Sequence, residues 1–275
     1  MVNVKLTDCS PAEFFRWWLE NKDKHGLAEL MDANFRYAVR PEEIPYVWEH
    51  YDARIEPVLH HAKSKGRVLE VGSGFGTELL YLALRGVEVK GIEVNSEWVN
   101  ISRKRQEILE EEVGPVSAEV MHANIMELDG QYDVIWMKET FHHLEPRKDV
   151  VAKLADCLAP GGVIIIEEPN AWNPLIQAQY LKIRGFNTIV EKTDPNTGEK
   201  YIYGNERLLT PLQLSRLFKH HRIKGSVEYL RLLPTKLAHL KYLTGLAQFI
   251  EGLTRGSRIL LPFYVHYTWT GFKSH

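Results

Sequence analysis

Val68-Leu69-Glu70-Val71-Gly72-Ser73-Gly74-Phe75-Gly76 is the stretch on which the fold turns. A short β-forming run enters three alternating glycines, and Thr77-Glu78-Leu79-Leu80 follows with helical character. The order predicts a strand, a tight turn and a helix. Glycine permits the turn and lets backbone N–H groups approach a ligand closely. Several nucleotide-binding folds share such a loop, so its neighbours must narrow the choice. The spacing is Gly-x-Gly-x-Gly, with Thr77 where dinucleotide binders carry another glycine. Glu70 lies just before the loop, where a carboxylate repels a pyrophosphate and suits a cationic tail. Glu93, 17 residues after Gly76, closes the next apolar run, where it can accept both hydroxyls of a ribose. Together these features predict a nucleoside ligand carrying positive charge.

Outward from the loop, short apolar runs alternate with amphipathic helices. Strands are expected at Arg67–Val71, Val87–Val94, Val116–Met121, Tyr132–Met137 and Val163–Glu167. Helices are expected at Thr77–Arg85, from Ser96 to about Val113, and at Val150–Leu158. This rhythm predicts a parallel sheet with helices on both faces. Val227–Leu232 and Tyr264–Lys273 add strands, and Thr210-Pro211 caps a further helix. Upstream, Phe14, Trp17, Trp18 and Leu19 recur at helical spacing, and a second helix follows Pro45. This N-terminal part reads equally as packing on the sheet edge and as a lid over a ligand.

Two segments interrupt the alternation. In the first, the turn cluster Asp194-Pro195-Asn196-Thr197-Gly198 sits between Val190 and Tyr201-Ile202-Tyr203, predicting a hairpin. The second, Leu233–Pro262, is a helical excursion. The expected organisation is a helical lid over 1–62 and one domain over 63–275, with insertions at about 170–204 and 233–262.

The chain resembles the class I S-adenosylmethionine-dependent methyltransferase superfamily, particularly its small-molecule branch. The resemblance runs from about Arg67 to Pro169. It rests on the glycine loop, Glu93-Val94, Asn124-Ile125-Met126-Glu127-Leu128, Tyr132-Asp133-Val134-Ile135 and Leu158-Ala159-Pro160-Gly161-Gly162, in the family's order. Where the family usually has aspartate this chain has Asn124, which leaves the polarity of that hydrogen bond open. The resemblance implies a Rossmann-like α/β fold: a seven-stranded, mainly parallel sheet with one antiparallel edge strand, helices on both faces, an N-terminal helical lid and inserted cap elements. It implies S-adenosylmethionine as cofactor. Gly72, Ser73, Gly74 and Gly76 would frame the methionyl part, Glu70 would take its ammonium and Glu93 the ribose. Val94, Trp98, Asn124 and Ile125 would surround the adenine, although Trp98 also reads as helix-to-sheet packing. Lys138 would approach through its backbone carbonyl, its side chain reaching water.

Methyl transfer needs alignment and exclusion of water, and a base only where the acceptor loses a proton. Glu139, His142 and His143 follow the fourth strand at the crevice edge and are the candidates for proton transfer. The alternative is that His142-His143-Leu144 shapes the pocket, as is common in the family. Glu139 with Glu167-Glu168-Pro169-Asn170 imitates a magnesium-holding set, but the surrounding sequence differs from that of the metal-dependent enzymes. No metal is expected. Cap candidates are Trp172, Gln177, Gln179, Tyr180, Arg184, Tyr201, Tyr203, Asn205 and Arg207.

A net charge of −2 over 275 residues, with no basic tract, argues against nucleic acid as partner. Cys9 and Cys157 lack metal-type spacing and suit a reducing, cytoplasmic compartment. No signal-type or membrane-spanning run is apparent. The apolar spacing of Leu237–Phe249, with basic residues nearby, favours a helix packed on the domain or a dimer partner over peripheral membrane contact. The expected activity is transfer of a methyl group to a small-molecule, lipid-linked or sugar-linked acceptor, with oxygen preferred over nitrogen and carbon. The alternatives are a catalytically silent S-adenosylmethionine-binding scaffold and a Rossmann oxidoreductase. Sequence leaves the oligomeric state open.

Overall fold

The computed structural model describes residues 6–21, 26, 44–194, 197–254 and 258–274. Parts of the expected lid (residues 1–5, 22–25 and 27–43) and the Pro195-Asn196 tip of the hairpin lie outside the described residues.

The alternation is realised as β1 (Val68–Val71), α3 (Thr77–Leu84), β2 (Val89–Glu93), α4 (Ser96–Val113), β3 (Ala118–His122), β4 (Tyr132–Lys138), α5 (Arg147–Cys157) and β5 (Leu158–Pro169). Before it come α1 (Pro11–Asn21) and α2 (Pro45–Lys65). After it come α6 (Pro174–Arg184), the hairpin β6 (Ile189–Thr193) and β7 (Lys200–Gly204), α7 (Pro211–Lys219), β8 (Ile223–Leu230), α8 (Lys241–Thr254) and β9 (His266–Lys273). Seven strands form one sheet in the order β3-β2-β1-β4-β5-β9-β8. Strand order reverses between β1 and β4, where α/β sheets open a crevice at their carboxyl ends.

Period-two alternation sorts the central strands into two cores. Val68, Val134, Trp136, Val163 and Ile165 face one side, under Phe14 and Trp18 of α1, Ile55 and Val58 of α2, and the buried stripes of α3 and α4. Leu69, Val71, Ile135, Met137, Ile164 and Ile166 face the other, under Val151 and Leu154 of α5 and Leu214 and Phe218 of α7. Helix α2 contacts β4 and β5 in mid-sheet, not the sheet edge.

One expectation is corrected. The antiparallel strand, β9, is not at the edge: it pairs with β5 on one side and β8 on the other, and β8, the edge strand, runs with the rest. Tyr267 and Trp269 of β9 are fully buried. An edge position would leave those two large side chains half covered, whereas the slot between β5 and β8 places them against α7.

Candidate active site

The alternation that builds the cores also assembles the site. Continuing each strand by even steps on the α2 side brings Glu70 (β1), Lys138 (β4) and Glu167 (β5) to the carboxyl ends of the parallel strands. His266 joins them because β9 is antiparallel and starts at that end. Helix α2 adds Tyr51 and Arg54 from above, and α3 adds Thr77 and Glu78. A cavity of about 650 Å³ opens here, a size that suits a ligand-binding cleft.

In the half of the cavity formed by β1 and β2, the glycine loop is held from several directions. Gly72 and Gly76 have positive φ, and a Cβ would come 2.4 Å from the Thr140 methyl and 2.1 Å from Ser102 Oγ, respectively. These two glycines are required by packing against protein, while Gly74 alone faces open space. Glu93 Oε2 accepts from Gly74 N (3.1 Å) and Oε1 from Asn95 N (3.0 Å), tying the loop to the next turn and leaving each oxygen a second lone pair. Arg105, fully buried on α4, donates to Phe75 O (2.6 Å) and Thr77 Oγ1 (2.9 Å) and lies 4.3 Å over the Trp18 ring. Glu70 Oε2 and Ser73 Oγ are buried without a well-formed hydrogen bond. Burial and the neighbouring Glu78 push the Glu70 carboxyl well above the usual carboxylate range. A buried acid beside a cleft whose Oε2 lacks a partner is what a ligand ammonium would satisfy.

Asn124 caps a short turn, its Oδ1 accepting from Met126 N (3.1 Å), so the amide N–H groups are what it can offer a ligand. Trp98 is over a third exposed and stands 5.1 Å from Phe75, so it does not pack on the sheet. The Lys138 side chain does not reach out to water as expected: it is paired with Glu78 and lies 4.9 Å over the Tyr51 ring.

The half of the cavity formed by β4, β5 and β9 carries a second charged group. Glu139, at φ +49, projects its carboxylate into the open cavity. Its Oε1 lies 2.8 Å from His266 Nε2. Burial opposes ionisation of Glu139, but the His266 hydrogen bond, Lys138 and Arg54 hold it well below the carboxylate range. Burial, helped by Arg54 and Arg231, holds His266 down to about 4, so at neutral pH its Nε2–H donates to an ionised Glu139. Arg54 Nε lies 3.2 Å from Glu167, whose carboxyl burial raises to about 7. Arg231 Nη1 donates to Thr235 Oγ1 (3.0 Å), and both residues line the cavity.

The two histidines lie side by side, their rings 3.9 Å apart and their ring nitrogens within 4.8 Å of a Glu206 oxygen, but they differ in access and charge. His142 does not line the cavity. It is buried on the far face of the sheet, 2.6 Å from Glu168 and 3.3 Å from Glu206, which outweigh burial and raise it to about 10. It is an imidazolium at neutral pH and cannot act as a base there. His143 does line the cavity. Its Nδ1–H donates to Gly204 O (2.8 Å), its ring stacks on Tyr203 at 4.4 Å, and burial and His142 hold it down to about 4.

A model of the methyltransferase domain matches residues 43–221, well over half of the chain. The chain belongs to the class I S-adenosylmethionine-dependent methyltransferase superfamily. Over 126 residues it is 32% identical to the methyltransferase GfsG of Streptomyces halstedii, a match covering 45% of each chain. It is 26% identical over 155 residues to a ubiquinone biosynthesis O-methyltransferase of Burkholderia multivorans, covering 55% of this chain and 66% of that one. A ubiquinone biosynthesis O-methyltransferase of Aeromonas salmonicida is 27% identical over 225 residues, covering 78% of this chain and 80% of that one. The chain thus spans less than half of GfsG and just under two-thirds of the Burkholderia protein. In fold it is similar to an S-adenosylmethionine-dependent methyltransferase of Archaeoglobus fulgidus (17% identity, TM-score 0.52, 85% and 97% of the two chains). One from Clostridium acetobutylicum is also similar (10% identity, TM-score 0.55, 91% and 98%).

Every cofactor candidate except Gly76 lines the cavity: Glu70, Gly72, Ser73, Gly74, Glu93, Val94, Trp98, Asn124, Ile125 and Lys138. Gly76 instead starts α3. Of the cap candidates, Tyr201 and Tyr203 line it and the others do not. The magnesium-type set does not converge. Glu168 points to the opposite face, and Asn170 clips the backbone at Leu261 and Tyr264 (2.8 and 3.0 Å). Glu139, Glu167 and His266 do gather, but with Arg54 as counter-ion on Glu167. Sequence reasoning missed Arg54, Phe75, Glu78, Arg105 and His266 as site residues. The one available signal was a charged residue inside an otherwise apolar stripe, as with Arg105 among Ile101, Ile108 and Leu109.

Proposed function

We propose that the chain transfers the methyl group of S-adenosylmethionine to a small-molecule acceptor, lipid- and sugar-linked ones included, with a hydroxyl oxygen preferred over nitrogen or carbon. The observation that carries this reading is one cavity with two unlike acids: Glu70, whose Oε2 lacks a partner and suits an ammonium, and Glu139, ionised and open to the other half. Glu70 and Ser73 hold the methionyl end, Glu93 takes the ribose on its remaining lone pairs, and Asn124 donates to an adenine ring nitrogen between Trp98 and Ile125. Bound there, the cofactor supplies an electrophilic methyl group on a sulfonium sulfur. Glu139 accepts a hydrogen bond from the acceptor hydroxyl, which orients an oxygen lone pair and receives the proton as that oxygen becomes acidic. His266 is a positioning residue for Glu139. Tyr51, Phe15 and Trp48 from the N-terminal helices exclude water. His143, neutral, offers its Nε2 lone pair as a second acceptor.

Oxygen as the acceptor atom is supported by the neutral-to-anionic change that a carboxylate can assist, and by the O-methyltransferases among the relatives. The two buried, unpaired cysteines suit a reducing compartment, so the enzyme acts in the cytoplasm. The test is incubation with methyl-labelled S-adenosylmethionine and metabolite extracts, followed by mass detection of labelled product. A methyl ether or ester is expected. Glu139→Gln should lower kcat by about 10²-fold or more with little change in cofactor affinity. Binding of NADH without binding of S-adenosylhomocysteine would overturn the reading. Tight S-adenosylhomocysteine binding without any labelled product would favour the silent scaffold.

A further inference from the structure

Helix α8 leaves a stripe of large apolar side chains uncovered. Tyr242, Leu246, Phe249 and Leu253 recur at steps of four, three and four, forming one stripe, and each is 54% to 72% exposed. Its inward side carries Ala247, packed with Ala238 against Ile44 and Tyr46, and the carboxylate of Glu251. Glu251 is bonded by Tyr46 and accepts from Leu232 N (2.7 Å). Partly buried Leu243 and Ile250 share the inward side with Ala247, so the helix is apolar on both faces and a full stripe of large side chains is left facing outward. Leu237 and Leu240, just before the helix, and Phe263, after it, are also exposed. Asn173 Nδ2 donates to Phe263 O (3.0 Å) and so holds the start of α6, with exposed Trp172 and Leu175, beside that segment.

We propose that this face docks on an anionic lipid surface. Charge chooses between the possible occupants. By sequence, residues 232–262 carry the basic residues Lys236, Lys241, Arg255 and Arg258 against a single acid, Glu251, which is consumed inside, in a chain of net charge −2. Residues 170–190 add Lys182 and Arg184 and no acid. A two-fold contact with a second copy would set this basic segment against itself, with Glu49, which accepts from Gln248 Nε2 (3.1 Å), as the exposed acid at its border. An anionic bilayer offers both an apolar layer for the stripe and counter-charge for its flanks. At 14 residues α8 is too short to cross a bilayer, and among the described residues no helix is long and apolar enough to do so, so the helix lies in the interface. The face also adjoins the cavity: Ile44 and Val47, which pack with Ala238 and Ala247, and Thr235 all line it. Taken with the methyl-transfer reading, docking sets the acceptor half beside the membrane and favours an amphiphilic acceptor. The docking itself does not depend on that reading.

The experiment is flotation of the full chain with vesicles, without cofactor or acceptor. Vesicles of phosphatidylcholine containing about 30% phosphatidylglycerol should bind at least about tenfold more protein than phosphatidylcholine alone, with the difference suppressed at high salt. The double variant L246E/F249E should lose at least about tenfold in partitioning, with its melting temperature and S-adenosylhomocysteine affinity retained, because both side chains are exposed. Should that variant fail to fold, Lys236→Glu/Lys241→Glu on exposed positions must weaken binding to the anionic vesicles. No binding to anionic vesicles, or binding that neither pair of substitutions alters, overturns the proposal. So does a wild-type dimer that L246E/F249E converts to monomer in the absence of any vesicle binding.

Discussion

Replacing Glu70 by glutamine should weaken cofactor binding and leave the free protein as stable as before, or more so. The carboxyl is buried, its Oε2 lacks a well-formed hydrogen bond, and burial with Glu78 raises its pKa well above the usual range. In the free protein burial disfavours the charged form, and a neutral amide of similar shape removes that penalty without opening a cavity. In the complex an ammonium would stabilise the ionised form. A hydrogen bond between charged groups contributes about 1.5–3 kcal/mol, so the loss should be roughly ten- to 150-fold in affinity for S-adenosylhomocysteine. Because a raised carboxyl becomes ionised on binding, wild-type complex formation near neutral pH should release a proton and tighten as pH rises. Titration calorimetry in two buffers of different ionisation enthalpy reads both affinity and proton release, and the variant should lose both. 5′-Methylthioadenosine, which lacks the amino-acid tail, should bind wild type and variant alike. Equal weakening of both ligands, or S-adenosylhomocysteine affinity within twofold of wild type, would refute the placement of the ammonium at Glu70.

Gly76→Ala should destabilise the fold by about 2–4 kcal/mol in urea unfolding, combining a left-handed backbone with a Cβ 2.1 Å from Ser102 Oγ; Ser102→Ala should restore only the second part. His142 is raised from 6.5 to about 10 in the folded protein, so its contribution is complete below about pH 6.5 and fades as pH rises through 10. Wild-type stability should therefore fall across that window, and His142→Asn should flatten the slope and cost about 3–5 kcal/mol at pH 6 by stranding Glu168. With His143 and His266 both held down to about 4, the rate should show no histidine inflection between about pH 5.5 and 8; a clear one near 6.5 would contradict their burial. Asp194 accepts from Ser96 N (3.0 Å) and Ser96 Oγ (3.1 Å), 98 positions away, fastening the hairpin that carries Tyr201 and Tyr203. Asp194→Ala should speed trypsin cleavage at Lys192 and Lys200 and raise the dissociation rate of S-adenosylhomocysteine, measured by stopped flow.

What the sequence determined by itself is whatever has a local cause. Alternating apolar runs and caps fixed the order of strands and helices from β1 to β5 within a few residues, because burial periodicity and turn chemistry act over neighbours. The glycine loop, Glu70 and Glu93, within one βαβ unit, and Asn124, just past the next strand, were legible for the same reason: each follows or closes a parallel strand at the same end of the sheet. The place of β9 was not legible, since Tyr267 and Trp269 read alike at an edge and in a slot, and only the cover supplied by α7 and β8 decides. Nor was the acceptor half. Glu139 and His266 meet across 127 positions, Arg54 meets Glu167 from another element, and His142 and His143, in ring contact, are given different protonation by the carboxylates that Glu168 and Glu206 bring to His142. Tertiary structure decided these because burial and counter-charge, which set a side chain's protonation and reach, come from residues that no local pattern connects.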